Sequence, residues 1–585
     1  MRKFYTTVII IVIVASGIFF YLFSIREHKN QTIHRSDWII SRACVNKDIS
    51  VYTSPRPARK FVRWNGKIFV STAGGLFPVE NTKLAKPLTV ADGLPSHDIY
   101  DAQLYGSDIM LATDRGLAIV EPNYTITQIT NSKNPRCNRV NALAGSRKII
   151  FATDNGLFDF DGDDVSKIAD GKFDRIIEIS GGYIITDSAG KIYRLSDEKI
   201  APICAVRTPI HDIAYYDDKI FVATSRGCLK ISTKGEIIDT VRTTEPMTTC
   251  VKFGSDTLFA AGFYGCDMFV ADKKIRTIKI PLRWGGIRDI TTYNGEYLLC
   301  GDGGVIDESG NSLDDGFLPS NRITAICEFD GEIWVGTFSD GLSHLDGDRW
   351  KIEHFEFSPF INSLVSDGEA LWVGTDDGLI RIAGNIKVFG KRDGLNSDHI
   401  TALHFDGEHI WVATNRGVCE SENFGWRQFY INDGLCGDHT YSIYSKDNDV
   451  WIATYGGITE ISPVESRCFR RVDGALKNDW ATAVIISDDG VFVGTYGGGI
   501  SRYSNGQWKF YEKGAIVNPN AVALWRGKPV FGTAQNGILI WDGIDFVHFD
   551  TKNGLPSDEI LSIFADENYI WLGTVDGIAK FSPNI

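Results

Sequence analysis

The sequence lacks the short signatures that mark most enzymes and metal proteins. Its 11 cysteines fall at irregular spacing with no C-x-x-C pair, so zinc-site and thioredoxin-like readings are excluded. No metal or other cofactor is expected. No G-x-S-x-G, H-E-x-x-H or phosphate-binding loop occurs, so no catalytic residue is assigned and no enzyme is expected. A positive surplus is missing too. The formal net charge of −14 speaks against nucleic acid as a partner and against a protein lying flat on anionic lipid. The apolar runs lack the 3.6-residue periodicity that helical repeats require.

What is present is a repeat. Leu371-Trp-Val-Gly-Thr375 reads as a buried strand, Asp376-Asp-Gly378 as a tight turn and Leu379 as the start of the next strand, because Asp and Gly tolerate the positive φ of hairpin turns. Fourteen copies of this figure run from Ile68–Thr72 to Ile570–Thr574, spaced by 33 to 41 residues. The unit from His399 to Asp438 resolves into four short strands separated by turns (Asp406-Gly-Glu408, Asn415-Arg-Gly417, Glu422 to Gly425) and a link beginning at Asn432. Four antiparallel strands per forty residues make one blade of a β-propeller. Propellers typically carry about four to eight blades, so fourteen repeats divide most naturally into seven and seven. The fold class is therefore all-β, two tandem seven-bladed β-propellers after an N-terminal transmembrane helix. The expected boundaries are 1–25 for that helix, 26–57 for a tether and closing strand, 58–310 for the first propeller and 311–585 for the second.

The helix is read from Phe4 to Ile25, 22 residues without a charge, preceded by Arg2 and Lys3. At ~1.5 Å per residue this run spans the ~30 Å hydrocarbon core of a bilayer. An uncleaved signal anchor is the expected reading, with a cleaved signal peptide ending near Ala15-Ser-Gly17 as the alternative. An all-β body behind one such span is expected outside the cytoplasm, in the periplasm if the cell is Gram-negative. The last repeat stops after its third strand, near Ala579 to Phe581, and needs a fourth from elsewhere. The N-terminal strands (Trp38 to Ala43, Ile49 to Thr53) and the segment Asp307 to Leu318 are both candidates.

The repeats resemble the two-component regulator propeller family. Its W-V-G-T-x-x-G-L core is matched around Trp372, and its D-G-L-P-S-x-x-I link reads Asp92-Gly-Leu-Pro-Ser-His-Asp-Ile99, Asp393-Gly-Leu-Asn-Ser-Asp-His-Ile400 and Asn553-Gly-Leu-Pro-Ser-Asp-Glu-Ile560. The resemblance covers about residues 58 to 585. It implies a sensor-type domain, often periplasmic and often glycan-binding. No kinase or DNA-binding segment follows Ile585 in this sequence, so any signalling is expected to run through a separate partner. The sialidase-type Asp box is absent, the dipeptide Trp541-Asp542 does not recur as WD40 repeats require, and the paired glycines are misplaced for kelch.

Because strands alternate direction, the links and the turns after each repeat Thr should ring one mouth of each propeller. In the second propeller the ligand-binding candidates are Phe338, Asp376, Asp377, Arg416, His439, Tyr455, Trp480 and Tyr496, with Asp576 on the same ring of turns. In the first they are Arg226, Tyr264, Arg283 and Trp284, with Arg115 beside them; Arg283-Trp284 is the leading exposed-aromatic candidate there. Planar rings beside carboxylates, amides and guanidinium suit a glycan or peptide ligand. The plainer reading is that link residues cap turns and aromatics pack between blades. The functional expectation is a membrane-anchored recognition or sensor module. The alternatives are a protein–protein scaffold with a membrane or envelope protein partner, and a glycan lyase or hydrolase with its site in a propeller channel.

Overall fold

The computed structural model describes residues 37–583, apart from Cys44, Lys47, Arg147, Leu282, Arg283, Phe424, Asp447, Asn448 and Lys513. The expected membrane helix, Phe4 to Ile25, lies outside the described residues. Among the described residues no helix is long and apolar enough to cross a membrane. The architecture is all-β and propeller-like: among the described residues short strands form fourteen antiparallel sheets, and the only helices are short 3-10 turns.

The repeat sequence dictates the sheet. Trp372 and Trp411 each donate Nε1–H to the carboxylate of the preceding turn, Asp367 and Asp406, at 2.7 Å, tying the second strand to its hairpin. Gly374 has no side chain because a Cβ there would stand 2.7 Å from Cγ2 of Ile400, the first strand residue of the next sheet. Thr375 closes the following turn, donating to the Gly378 carbonyl (2.8 Å) and accepting from the Asp377 N–H (3.0 Å), while Gly378 takes φ +125°. The links are equally determined. Asp393 accepts from the Gly390 N–H (2.9 Å), Gly394 adopts φ +104°, Leu395 is buried, and Asp398 accepts from the Lys391 N–H (2.7 Å). At the link after Thr89 the corresponding last acceptor is His97, whose Nε2 takes the Val90 N–H at 3.1 Å.

The first strands of successive sheets stand side by side and close on themselves twice. Ala58–Trp64, Ile99–Tyr105, Val140–Ala144, Phe173–Ile179, Ile210–Tyr216, Cys250–Gly254 and Ile287–Tyr293 neighbour one another in order, and the last returns to the first. Ile323–Phe329, Ile361–Ser366, Ile400–Phe405, Thr440–Lys446, Ala481–Ser487, Val517–Trp525 and Ile560–Ala565 form the second cycle. The apolar side chains of each sheet pack against the next, so each core cluster lies between neighbours, as with Trp372, Leu379, Ile400 and Val412.

Two N-terminal strands join the rings. β1 (Trp38–Arg42) adds a fifth strand outside Ile126–Asn131 of the first ring. β2 (Ile49–Tyr52) pairs antiparallel with Gly577–Phe581 and completes the last sheet of the second ring. Of the two candidate closing segments, the N-terminal one therefore fills that place. Residues 308–318 instead run along the first ring's own last sheet, where Leu313 N–H donates to Val305 O (2.9 Å). Between the rings, Arg56 pairs with Asp314 at 3.1 Å and Asn321 Oδ1 accepts the Ser54 N–H at 2.6 Å.

Candidate functional site

The repeat turn and the link are clamped together by backbone. In five sheets of the second ring the residue after the repeat Thr donates its N–H to the carbonyl of the last link residue, as Tyr455 does to His439 (3.0 Å), Tyr496 to Trp480 (3.0 Å) and Phe338 to Arg322 (3.1 Å). Two side chains per sheet are thereby fixed as neighbours on the loop face, whatever their identity.

Where both are aromatic the clamp builds a shelf. Trp480 and Tyr496 stack at 4.3 Å with 21° between planes, Tyr455 leans on Trp480 at 5.6 Å, and Tyr441 approaches it at 6.0 Å. His439 stacks on Tyr441 at 4.7 Å and 19°, extending the row by one ring. Tyr455 is 62% and Tyr496 44% exposed, so the faces of the shelf meet solvent. Asn478 buttresses it, donating from Nδ2 to the Tyr496 carbonyl (2.5 Å) while its Oδ1 accepts the Trp480 N–H (3.1 Å). Partial burial, helped by the nearby His399, pushes the His439 pKa down, and burial raises that of the Tyr441 hydroxyl. Both groups are therefore neutral near pH 7, as a stacking surface requires.

Four of the expected residues, His439, Tyr455, Trp480 and Tyr496, thus come together. The others stand apart. Asp376 accepts from Asn362 Nδ2 (2.7 Å) and faces His399 Nδ1 at 3.1 Å, whereas Asp377 and Arg416 are exposed on their turns. Phe338 is 50% exposed, with the Arg322 guanidinium over its ring at 4.7 Å and Phe360 edge-on at 6.0 Å. In the first ring Arg226 and Tyr264 are exposed, and the Glu245 carboxylate fixes the Phe263 and Tyr264 N–H groups at 2.8 Å. Trp284 departs from the exposed platform expected of it. It is half-buried against Gly301 and Gly303, where a Cβ on either glycine would come within 3 Å of its ring. Arg283 lies outside the described residues.

Arg115 and Asp576 also differ from expectation. They lie not at open mouths but where the rings meet, with Asp98, Asp114, His97 and Ser557. Burial there raises the pKa of Asp114, and that of Asp576 to about 6, and it lowers His97 to about 3. A histidine as the last acceptor of this link supplies the same lone pair as Asp398 without a buried charge. Sequence reasoning missed Tyr441. The signal was its position, one residue into a first strand, where a bulge shifts the pairing register; Thr324, Asn362, Thr401 and Thr482 occupy that position in other sheets.

One disulfide, Cys436–Cys468, joins this link to an outer strand with a Cα separation of 5.4 Å. Cys228 and Cys266, at equivalent positions of neighbouring sheets, are both free and buried.

Residues 318–339 match the model of the two component regulator propeller family. That segment is similar to one repeat of the two component regulator propeller family. That match spans the end of one link and the following Ile333-Trp-Val-Gly-Thr337 hairpin, the elements whose hydrogen bonds are described above. No curated protein matches the chain. Among solved structures it is similar to PorZ, an essential bacterial surface component of the type-IX secretion system of Porphyromonas gingivalis, at 14% identity and TM-score 0.71, covering 92% of this chain and 87% of that one. It is also similar to the Niastella koreensis GH74 enzyme (13% identity, TM-score 0.60, 93% and 99% covered). The GH74 xyloglucanase from Xanthomonas campestris gives 12% identity, TM-score 0.59 and coverage of 94% and 100%. At such identities the likeness establishes the propeller fold.

Proposed function

We propose that this protein is an extracytoplasmic recognition module, two seven-bladed propellers (58–310 and 311–585) behind an N-terminal membrane anchor, that binds a glycan on the loop face of the second ring. One observation carries the reading: the solvent-facing row His439, Tyr441, Trp480, Tyr496 with Tyr455 beside it. Sugar rings present an apolar face that stacks on such a surface while their hydroxyls meet amide and carboxylate neighbours. A peptide loop rich in aromatic or proline side chains is the competing ligand. The shelf is a binding surface and not a catalytic one, and signalling runs through a separate partner. The Cys436–Cys468 bridge supports an oxidising compartment.

Glycan arrays probed with the full chain and with Trp480→Ala and Tyr496→Ala test this. Removing one stacking ring is expected to weaken binding by at least ~10-fold, about 1.4 kcal/mol, with little change in melting temperature. Glycan binding that survives both substitutions, or peptide binding in its place, overturns the assignment. A periplasmic reporter fused after residue 36 tests the topology.

A further inference from the structure

The two rings close in the same way but line their axes with different chemistry. In the second ring the second residues of the first strands are uncharged. Thr324, Asn362, Thr401, Thr482 and Asn518 each donate to the first strand carbonyl of the next sheet, and Ser363 and Ser442 accept from the N–H groups of Leu403 and Val484. In the first ring the acceptor role falls to carboxylates. Asp101 takes the Leu143 N–H (3.0 Å), Asp212 the Val251 N–H (3.0 Å) and Asp289 the Phe61 N–H (2.8 Å). Neutral groups evidently suffice to close such a ring, while burying ions costs several kcal/mol each before pairing. The charges of the first axis therefore need a reason beyond closure.

They surround a cavity of about 770 Å³, inside the ~300–1,000 Å³ range of small-molecule sites. Six cations line it: Arg59, Lys60, Arg139, Arg175, Lys252 and Arg288. Four are neutralised in place: Lys60 by Asp101 (2.5 Å), Lys252 by Asp289 (2.6 Å), Arg59 by Asp98 (2.6 Å) and Arg288 by Asp302 (2.7 Å). Arg175 is not. Its Nε and Nη1 donate to the carbonyls of His211 (3.0 Å) and Asp174 (2.9 Å), and among the described residues no carboxylate lies within ion-pair distance of it. Arg139 reaches Asp154 only at 3.9 Å and lies 5.2 Å above the ring of Tyr100, whose other neighbour is Arg59 at 4.4 Å. The one lining carboxylate without a cation at contact distance is Asp212; burial pushes its pKa up, and Arg175 opposes that rise. His211 senses the same field: after burial, Arg175 and Arg288 push its pKa further down. Arg175 and Arg139 are thus the two lining guanidinium groups that no carboxylate approaches closer than 3.9 Å among the described residues.

We propose that the axis of the first ring is a binding site for a small hydroxylated carboxylate, with the Arg175 guanidinium and the Arg139 side chain pairing with the carboxylate and Tyr100 and Phe263 flanking the carbon skeleton. The planar guanidinium fork matches a carboxylate better than the point charge of an ammonium does. The site is separate from the aromatic shelf and does not depend on it.

Calorimetric titration of the full chain with D-glucuronate, inorganic phosphate and D-glucose tests the proposal. Glucuronate is expected to bind saturably, at least ~10-fold tighter than glucose, and to weaken as salt is added. Arg175→Gln and Arg139→Gln are each expected to reduce glucuronate binding by ~10-fold or more. Should Arg175→Gln fail to fold, Arg139→Gln, whose side chain is half exposed, carries the test with its unliganded melting temperature as the control. Absence of saturable glucuronate binding up to about 10 mM, equal binding of glucose, or tighter binding of phosphate overturns the assignment. So does loss of stability in both arginine variants with no change in affinity, the behaviour of a purely structural ion network.

Discussion

Replacing Asp576 by asparagine should stabilise the protein at neutral pH, and by an amount that shrinks on acidification. Asp576 sits on the last repeat turn, its N–H held by Thr574 Oγ1 at 2.9 Å, and faces the first ring. Burial raises its pKa from 3.8 to about 6; Arg115 opposes that rise, and Asp114 and Asp98 add to it. A carboxyl that binds its proton more tightly when folded contributes stability below the unfolded pKa and loses it as pH rises through the folded one. The full difference between 3.8 and about 6 corresponds to about 3 kcal/mol. Between pH 5 and pH 7.5 the wild type should lose about 1.4 kcal/mol of this, whereas asparagine does not titrate. His97 and His404, with pKa values lowered by burial to about 3 and about 4, titrate with the opposite sign, their contribution being lost as pH falls below 6.5. Because both proteins contain them, they cancel in the difference. Urea unfolding of the two proteins at pH 5 and 7.5 reads the quantity directly. A difference that stays constant with pH, or a variant that gains on acidification, refutes the account of a charge buried between the rings.

Three further outcomes follow from the repeat chemistry. Gly374→Ala should cost about 1–3 kcal/mol by overpacking against Ile400, and Ile400→Val should not restore the loss, because the Cβ meets Cγ2, which valine keeps; thermal melts of the single and double variants decide. Trp411→Phe removes the donor to Asp406 and should cost about 1–3 kcal/mol through the carboxylate left short of a partner, measurable by urea unfolding. Breaking Cys436–Cys468, which spans 32 residues of sequence, should cost about 3–4 kcal/mol on the chain-entropy argument. Comparing melts of the oxidised protein and of a Cys436→Ser, Cys468→Ser variant checks this without exposing the buried free thiols to reductant.

The sheet content was legible because each repeat carries its own local instructions. Asp-Gly turns, a Thr that closes a hairpin, and a glycine where the next sheet presses in recur in one order, and the strands from Ile400 to Phe429 lie within a residue or two of their expected limits. The shelf was legible for a related reason: link and turn residues are read from the same motif, and the backbone clamp between them turns sequence neighbours of the motif into spatial neighbours. The partner of the last sheet was not legible, since β2 is no better a strand than other short apolar runs and only ring geometry selects it. The fates of Arg115, Asp576 and Trp284 were hidden for the same cause. A turn residue is exposed or buried according to what the other ring, or a neighbouring glycine, places over it. The charged axis of the first ring was visible in principle as Lys60, Asp101, Arg175, Asp212 and Asp289 at matching offsets, against alanine and serine in the second half. Its meaning emerges only once those positions are seen to face one cavity.

The pairing of β2 with Gly577–Phe581 carries a consequence for how the molecule comes into being. The two strands are separated by more than 500 residues, so at ~5–20 residues per second a ribosome finishes the second roughly 25–100 s after the first. Throughout that interval β2 has no mate, and an orphan strand edge invites wrong partners. A chain stopped short of Gly577 would keep that vulnerability permanently, which gives the cell a physical basis for telling finished molecules from unfinished ones.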